Sequence, residues 1–201
     1  KGVALVNQER QDQDRPGKTY APKMAMLEQD IRTFDPGAFG ISPREAAFLD
    51  PQQRLLLEVT WEALEDAGIP LSAVSGSRTG VFIGAFCIDH LVNQVQPANR
   101  HLVSSHSTVG ASMTIISNRI SHAFNLRGPS LTLDTACSSS LVAFHYACQS
   151  VRSGESDMAI AGGVNVMTRP EYPVMMSKGH FLSYHGECRA FDETAAGYTR
   201  G

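Results

Sequence analysis

SLTLDTACSSSLVAFHYACQSVRSGE, residues 130–155, joins a β-rich run to a long apolar segment, with a cysteine at the joint and three serines behind it. SLTLDTA reads as a short strand. From Ser138 the chain carries Leu141, Val142, Ala143, Phe144, Tyr146, Ala147, Cys148 and Val151 around most of a helical circumference, until Gly154. A helix apolar nearly all round is normally buried on all sides, so this one is expected to lie between two sheets. Cys137 stands at its first turn, facing backbone N–H groups without helical partners and the positive end of the macrodipole. Both favour thiolate over thiol. The serines at 138–140 are small enough to let a substrate approach. A sharp strand-to-helix turn of this kind presents one side chain together with its own N–H, which is half of an oxyanion hole. On residue type alone a buried structural cysteine competes with this reading, because free Cys is among the most buried residues.

The surrounding chain alternates helices with apolar strands. Ser42-Pro43-Arg44-Glu45 and Asp50-Pro51-Gln52-Gln53 each pair a capping residue with proline at the first helical position. The second start continues through RLLLEVTWEALEDAG, with Leu56, Val59, Ala63 and Ala67 at helical spacing, and Gly68 with Pro70 ends it. RTGVFIGAF (78–86) and DMAIAGGVNVM (157–167) read as buried strands. Between them Val109, Met113, Ile116, Ile120 and Phe124 form a helical stripe that breaks at Gly128-Pro129. Residues 1–33 are polar and irregular. Buried strands alternating with helices predict a layered α/β architecture with mostly parallel strands.

The 201 residues are 42% hydrophobic with net charge −3, enough for one sizeable core or a large piece of a bigger one. No basic run with interleaved aromatics points to nucleic acid, and every apolar run is broken too early for a transmembrane helix. The chain opens at Lys1 without a signal-peptide pattern, and lacks an initiator methionine. These features predict a cytoplasmic setting and a chain that begins inside a longer polypeptide. PGKT at 16–19 is not a phosphate-binding loop, because Asp12 occupies the position where that motif needs glycine. The cysteines Cys87, Cys137, Cys148 and Cys188 form no C-x-x-C pair and no zinc spacing, so free thiols are expected.

A cysteine nucleophile usually needs a base or a charge partner. His145 lies eight residues along the same helix, about 12 Å up the axis, too far to pair with Cys137. His122 falls near the end of the preceding helix and reads as a surface residue. His90, His101 and His106 show no local pattern of a base, and His180 and His185 sit in a glycine-rich tail. The catalytic set looks incomplete.

With these residues laid out, the chain resembles the β-ketoacyl synthase (ketosynthase) domain of modular type I polyketide synthases, within the thiolase-like condensing enzymes. The resemblance rests on FDPGAFGISPREAAFLDPQQRLLLEVTWEALEDAGI (34–69), RTGVFIGA (78–85), ISNRISHAFNLRGPSLTLDTACSSSLVAFH (116–145), DMAIAGGVNVM (157–167) and CRAFDETAAGYTRG (188–201). It covers 34–201 well and 1–33 poorly, which marks residues 1–201 as an N-terminal portion of the domain. It implies a five-layer αβαβα fold whose central buried helix follows the nucleophile. It makes Cys137 the acyl acceptor and its N–H an oxyanion donor. In the family reaction an acyl chain moves from the phosphopantetheine of an acyl carrier protein onto the cysteine. A malonyl-type extender then loses carbon dioxide, and its enolate attacks the acyl-cysteine. No cofactor is implied beyond the carrier's phosphopantetheine, and no metal. The implied partners are acyl carrier protein, an acyltransferase and other synthase domains of the same polypeptide, and a second copy, with residues 114–134 at the dimer interface. The stripe Met113-Ile116-Ile120 fits that interface, a substrate tunnel or plain core.

This chain departs from the pattern in several places. The two histidines and the lysine that the family draws from its C-terminal half are absent. The usual first strand is degraded in KGVALVNQERQDQD, KMAML stands where glycines are usual, SYHG replaces SPDG and AAGY replaces ADGY. The alternatives are a catalytically incomplete fragment serving as a dimerisation or docking piece, and a fatty-acid-type condensing enzyme. Cys137 disfavours the decarboxylase variant that carries Gln, and nothing supplies the local signature of a cysteine hydrolase. Cys87, Cys148 and Cys188 are expected to be structural, Cys148 the most buried. Half of a layered fold made alone is expected to be poorly soluble.

Overall fold

The computed structural model describes residues 15–200, so the degraded first strand expected in residues 1–14 lies outside the described residues. The chain divides into two compact units, Ile31–Val166 and a second that joins the segment ending at Asp30 to the segment starting at Met167.

In the larger unit both helix starts form as the sequence dictates. Ser42 Oγ accepts the Glu45 N–H at the head of α1 (Pro43–Ala46), and Asp50 Oδ1 accepts the Gln52 N–H at the head of α2 (Pro51–Asp66). After α3 (Leu71–Val74) comes β1 (Thr79–Gly84), whose six residues are all buried. Then follow α4 (Asp89–Val95), α5 (Ser107–Ala111), α6 (Ile115–Ala123), β2 (Ser130–Leu133), α7 (Ser139–Arg152) and β3 (Met158–Gly163). The three strands make a parallel sheet in the order β2-β1-β3. β1 is central and its side chains alternate. Val81 and Ile83 enter a core with Leu57 of α2 and Ile116 and Ile120 of α6, whereas Phe82 packs on Ala143 and Ala147 of α7. α7 stops at Gly154, whose φ of 73° suits a left-handed cap, and the Glu155 N–H closes back on Ser150 O at 3.0 Å.

Four expectations are corrected. On α2 the buried positions are Pro51, Gln52, Gln53, Leu56, Leu57, Thr60 and Leu64, while Val59, Ala63 and Ala67 face outward. The glutamines are buried because each finds partners. Gln52 Nε2 donates to Asp50 Oδ2 (3.1 Å) and Cys87 O (3.0 Å), and its Oε1 accepts the Val166 N–H (3.2 Å). Gln53 Nε2 donates to Val109 O and Gly110 O, both at 3.1 Å, and its Oε1 accepts from Arg119 Nε. Arg119 in turn pairs with Glu45 at 2.6 Å. Second, the stripe from Val109 to Phe124 is split into α5 and α6. The Gly110 carbonyl accepts from both Asp50 N and Gln53 Nε2, and Ser112 turns extended with ψ of 131°. Within it Ile116 and Ile120 are plain core.

Third, α7 is not enclosed. Ser139, Ala143, Ala147 and Ser150 are buried against the sheet, but Leu141 is 73% exposed and Phe144 59% exposed. A single sheet is present among the described residues, so only one side of the helix has a layer to pack on. Fourth, Cys148 is half-buried. Cys87 is the buried thiol, and Cys188 is exposed.

The smaller unit is organised around Tyr20, Ala21 and Leu182. Tyr20 stacks on Tyr184 at 4.4 Å and donates its hydroxyl to Leu182 O at 2.9 Å. Thr19 and Ser177, at the end of α8 (Glu171–Lys178), share a hydroxyl hydrogen bond of 2.6 Å. The tail returns beside this core through a bridge between Leu182 and Tyr198 and a bond from Ala25 N–H to Arg200 O.

Candidate active site

The joint between β2 and α7 is a tight elbow. The Ala85 N–H donates to Leu133 O at 3.0 Å, tying the end of β2 to β1. Asp134 Oδ1 then accepts the Ala136 N–H at 2.9 Å. Ala136 has φ of 55°, a left-handed conformation that costs a residue with a Cβ roughly 1–2 kcal/mol. A turn of 3-10 helix over Ala136–Ser138 leads into α7, and Cys137 lies in it, exposed. Thr135 O accepts the Ser138 hydroxyl at 2.9 Å. Ser139 Oγ accepts the Thr135 N–H at 2.9 Å and donates to Ala136 O at 2.6 Å. These bonds engage Asp134, Thr135, Ala136, Ser138 and Ser139, and none uses the N–H or the thiol of Cys137.

Two glycines let the helix start sit on the strand ends. A Cβ on Gly84 would stand 2.4 Å from Ser139 C and Ser140 N, and one on Gly163 would stand 2.7 Å from Ser140 Cβ. The first turn of α7 therefore lies directly over the C-terminal ends of β1 and β3, where a parallel sheet opens its binding crevice. The exposed Cys137 thus lies at the N-terminus of a 14-residue helix, beside a backbone N–H that the hydrogen bonds of the turn leave out, and the positive end of a helix favours negative charge placed there.

The other sequence candidates lie elsewhere. His90 Nε2 is 2.9 Å from Phe48 O and 2.8 Å from Gln94 Nε2, His106 packs on Phe48, and His101, His122 and His145 are exposed. Among the described residues of this unit no hydrogen bond links a histidine to the elbow. His180 and His185 belong to the smaller unit and are exposed. Cys87 donates its thiol to Val166 O at 3.2 Å, and burial pushes that thiol up to about 11, which makes it inert at neutral pH. No group of three or more potential ligands able to hold a metal is present among the described residues. Nor is any described helix long and apolar enough to cross a membrane.

The sequence alone places Cys137 at the strand-to-helix joint, where the structure has it, but does not reveal how Asp134, Ala136, Ser139, Gly84 and Gly163 shape that setting. The signal available for the glycines was their place inside apolar strands, which marks close backbone approach.

The family model described as the beta-ketoacyl synthase N-terminal domain matches residues 3–201. The chain belongs to the β-ketoacyl synthase family. Among curated relatives it is 45% identical over 189 residues to a highly reducing polyketide synthase of Hypocrea virens, covering 94% of this chain and 8% of that protein. It is 49% identical over 172 residues to a phenolphthiocerol/phthiocerol polyketide synthase of Mycobacterium tuberculosis, covering 86% of this chain and 11% of that protein. Among solved structures, an oxazolomycin ketosynthase domain of Streptomyces albus JA3453 superposes with a TM-score of 0.82 at 40% identity, over 97% of this chain and 35% of that one. The ketosynthase from module 6 of the bacillaene synthase of Bacillus subtilis 168 gives 0.77 at 36% identity, over 97% and 32%. The fold is thus the thiolase-like one of ketosynthase domains. The β-ketoacyl synthase chain spans about a third of these solved domains and a small fraction of the curated synthases.

Proposed function

We propose that this chain is the part of a polyketide-synthase ketosynthase that carries the acyl group, with Cys137 as the nucleophile. The supporting observation is the elbow itself: an exposed cysteine at the head of α7, behind a left-handed Ala136, with its own N–H left out of the local hydrogen bonds. The thiolate attacks the carbonyl carbon of an acyl thioester. The carbonyl oxygen becomes an oxyanion beside the Cys137 N–H, the bond to the carrier sulfur breaks, and the proton lost from Cys137 ends on the departing thiol. Thioester exchange is nearly balanced in energy, so the same sulfur is a competent leaving group in the next half-reaction. There a malonyl-type thioester releases carbon dioxide, the electron pair moves to the enolate, and the enolate carbon displaces the cysteine to give a β-ketoacyl thioester. Among the described residues of its unit no hydrogen bond links a histidine to the elbow, and in this reading the enolate is stabilised by groups other than those bonded there. In this reading the substrates arrive on the phosphopantetheine of an acyl carrier protein, the other synthase domains share the polypeptide, the protein works as a homodimer in the cytoplasm, and it binds no cofactor of its own.

The test is condensation by the native polypeptide. Given acyl and malonyl carrier proteins, it should form a β-ketoacyl thioester, and Cys137→Ala should abolish product. Product formation by Cys137→Ala at an undiminished rate would refute the assignment.

A further inference from the structure

We infer that Ser139, together with Asp134, is the positioning element that aims the oxyanion donor of Cys137; the inference rests on the acyl-transfer reading above. Ser139 is 5% exposed, and its hydroxyl spans the turn, accepting the Thr135 N–H at 2.9 Å and donating to Ala136 O at 2.6 Å. The Ser139 N–H also reaches Ala136 O. Asp134 Oδ1 holds the Ala136 N–H at 2.9 Å. Both backbone groups of Ala136 are therefore fixed, in a left-handed conformation that alanine adopts only when its surroundings impose it.

The consequence follows from peptide geometry. The Ala136–Cys137 bond is trans and planar, so its C=O and its N–H point in opposite directions. The Ala136 carbonyl is drawn inward, onto the buried hydroxyl of Ser139. The Cys137 N–H must then point outward, on the exposed side where the thiol lies. Ser139 thus acts on the reaction through the orientation of one peptide plane and touches no reacting atom itself. The sequence shows three consecutive serines behind the cysteine, and the structure separates them: Ser139 is buried and bonds the Ala136 carbonyl, Ser138 is exposed and bonds only Thr135, and Ser140 is exposed.

The experiment compares two reactions at Cys137 in the native polypeptide, each followed by peptide mass spectrometry. One is acyl transfer from an N-acetylcysteamine thioester, which passes through an oxyanion. The other is alkylation by iodoacetamide, which does not. Ser139→Ala should slow acyl transfer about 10- to 100-fold, less than the 10²–10³ of a deleted oxyanion donor, and change alkylation less than about twofold. Asp134→Ala should show the same selective loss, and because Asp134 is exposed this variant leaves the core intact. Adding Ala136→Gly to Ser139→Ala should restore much of the lost rate, since glycine holds a positive φ without help. Unchanged acyl transfer in both single variants would overturn the inference, as would equal loss in both reactions with no recovery from the added glycine. A wild-type protein that is alkylated at Cys137 yet takes no acyl group would instead remove the acyl-transfer reading on which the inference rests.

Discussion

Replacing Gly84 by alanine tests whether the helix start must lie on the strand end. The added Cβ would stand 2.4 Å from Ser139 C and Ser140 N and 2.7 Å from Ser139 O, all of them backbone atoms that no rotamer change can move. Ordinary contact begins near 3.4 Å, so the first turn of α7 must retreat by about 1 Å. β1 cannot give way instead, because it is the central strand and buried throughout. Overpacking of this kind costs about 1–3 kcal/mol of stability. The larger effect falls on the chemistry, since a 1 Å misplacement of a reacting group lowers a rate about 100-fold. The assay is the rate of acyl transfer to Cys137 from a thioester, measured in the native polypeptide beside its denaturation midpoint. Gly162→Ala is the control. It lies in β3, and its Cβ would meet Ile83 Cδ1 at an ordinary 3.6 Å, so it should acylate at close to the wild-type rate. Wild-type acylation by Gly84→Ala, or an equal loss in Gly162→Ala, would refute the reasoning.

The buried polar network around α2 makes further predictions. Gln52→Leu removes two donations and one acceptance and orphans Cys87 O and the Val166 N–H, so it should destabilise the protein by about 2–4 kcal/mol in chemical denaturation; a loss below about 0.5 kcal/mol would contradict the network's role. Glu45→Ala leaves the nearly buried Arg119 guanidinium without its carboxylate and should cost about 2–3 kcal/mol, less than for a fully buried pair because Glu45 is partly solvated; an unchanged midpoint would count against it. Cys87 makes stability fall in alkali. Below pH 9 its thiol is protonated in both states; between about 9 and 11 only the unfolded chain ionises, so this group's contribution is lost as pH rises through that window. Cys87→Ala should flatten the decline between pH 8 and 10.5, and an unchanged slope would show that burial does not hold the thiol neutral.

What the sequence reveals and what it hides divides along range. Ser42 and Asp50 cap their helices through bonds two or three residues away, and Gly154 ends α7 by its own backbone freedom, so these boundaries are readable locally. Gln52 and Gln53 look like surface residues because their partners, Cys87, Gly110 and Val166, lie far along the chain. Val59, Ala63 and Ala67 continue the apolar spacing of Leu56, and only packing shows that the core takes the face carrying Leu57, Thr60 and Leu64. The left-handed turn at Ala136 carries no glycine to announce it. The apolar circumference of α7 is correctly read from its composition, yet one sheet covers only its Ala143 and Ala147 side. Cys137 itself is legible because strand, cysteine, small residues and helix follow one another without a gap.

The most direct measurement is the site at which the native polypeptide takes an acyl group. The protein is incubated with an acyl thioester, quenched in acid and digested, and the mass increment is located by peptide sequencing. An increment on the peptide carrying Cys137, absent in Cys137→Ser and undiminished in Cys188→Ser, is the result that the elbow geometry predicts. An acyl group found on Cys188 or Cys148 with Cys137 unmodified would contradict it.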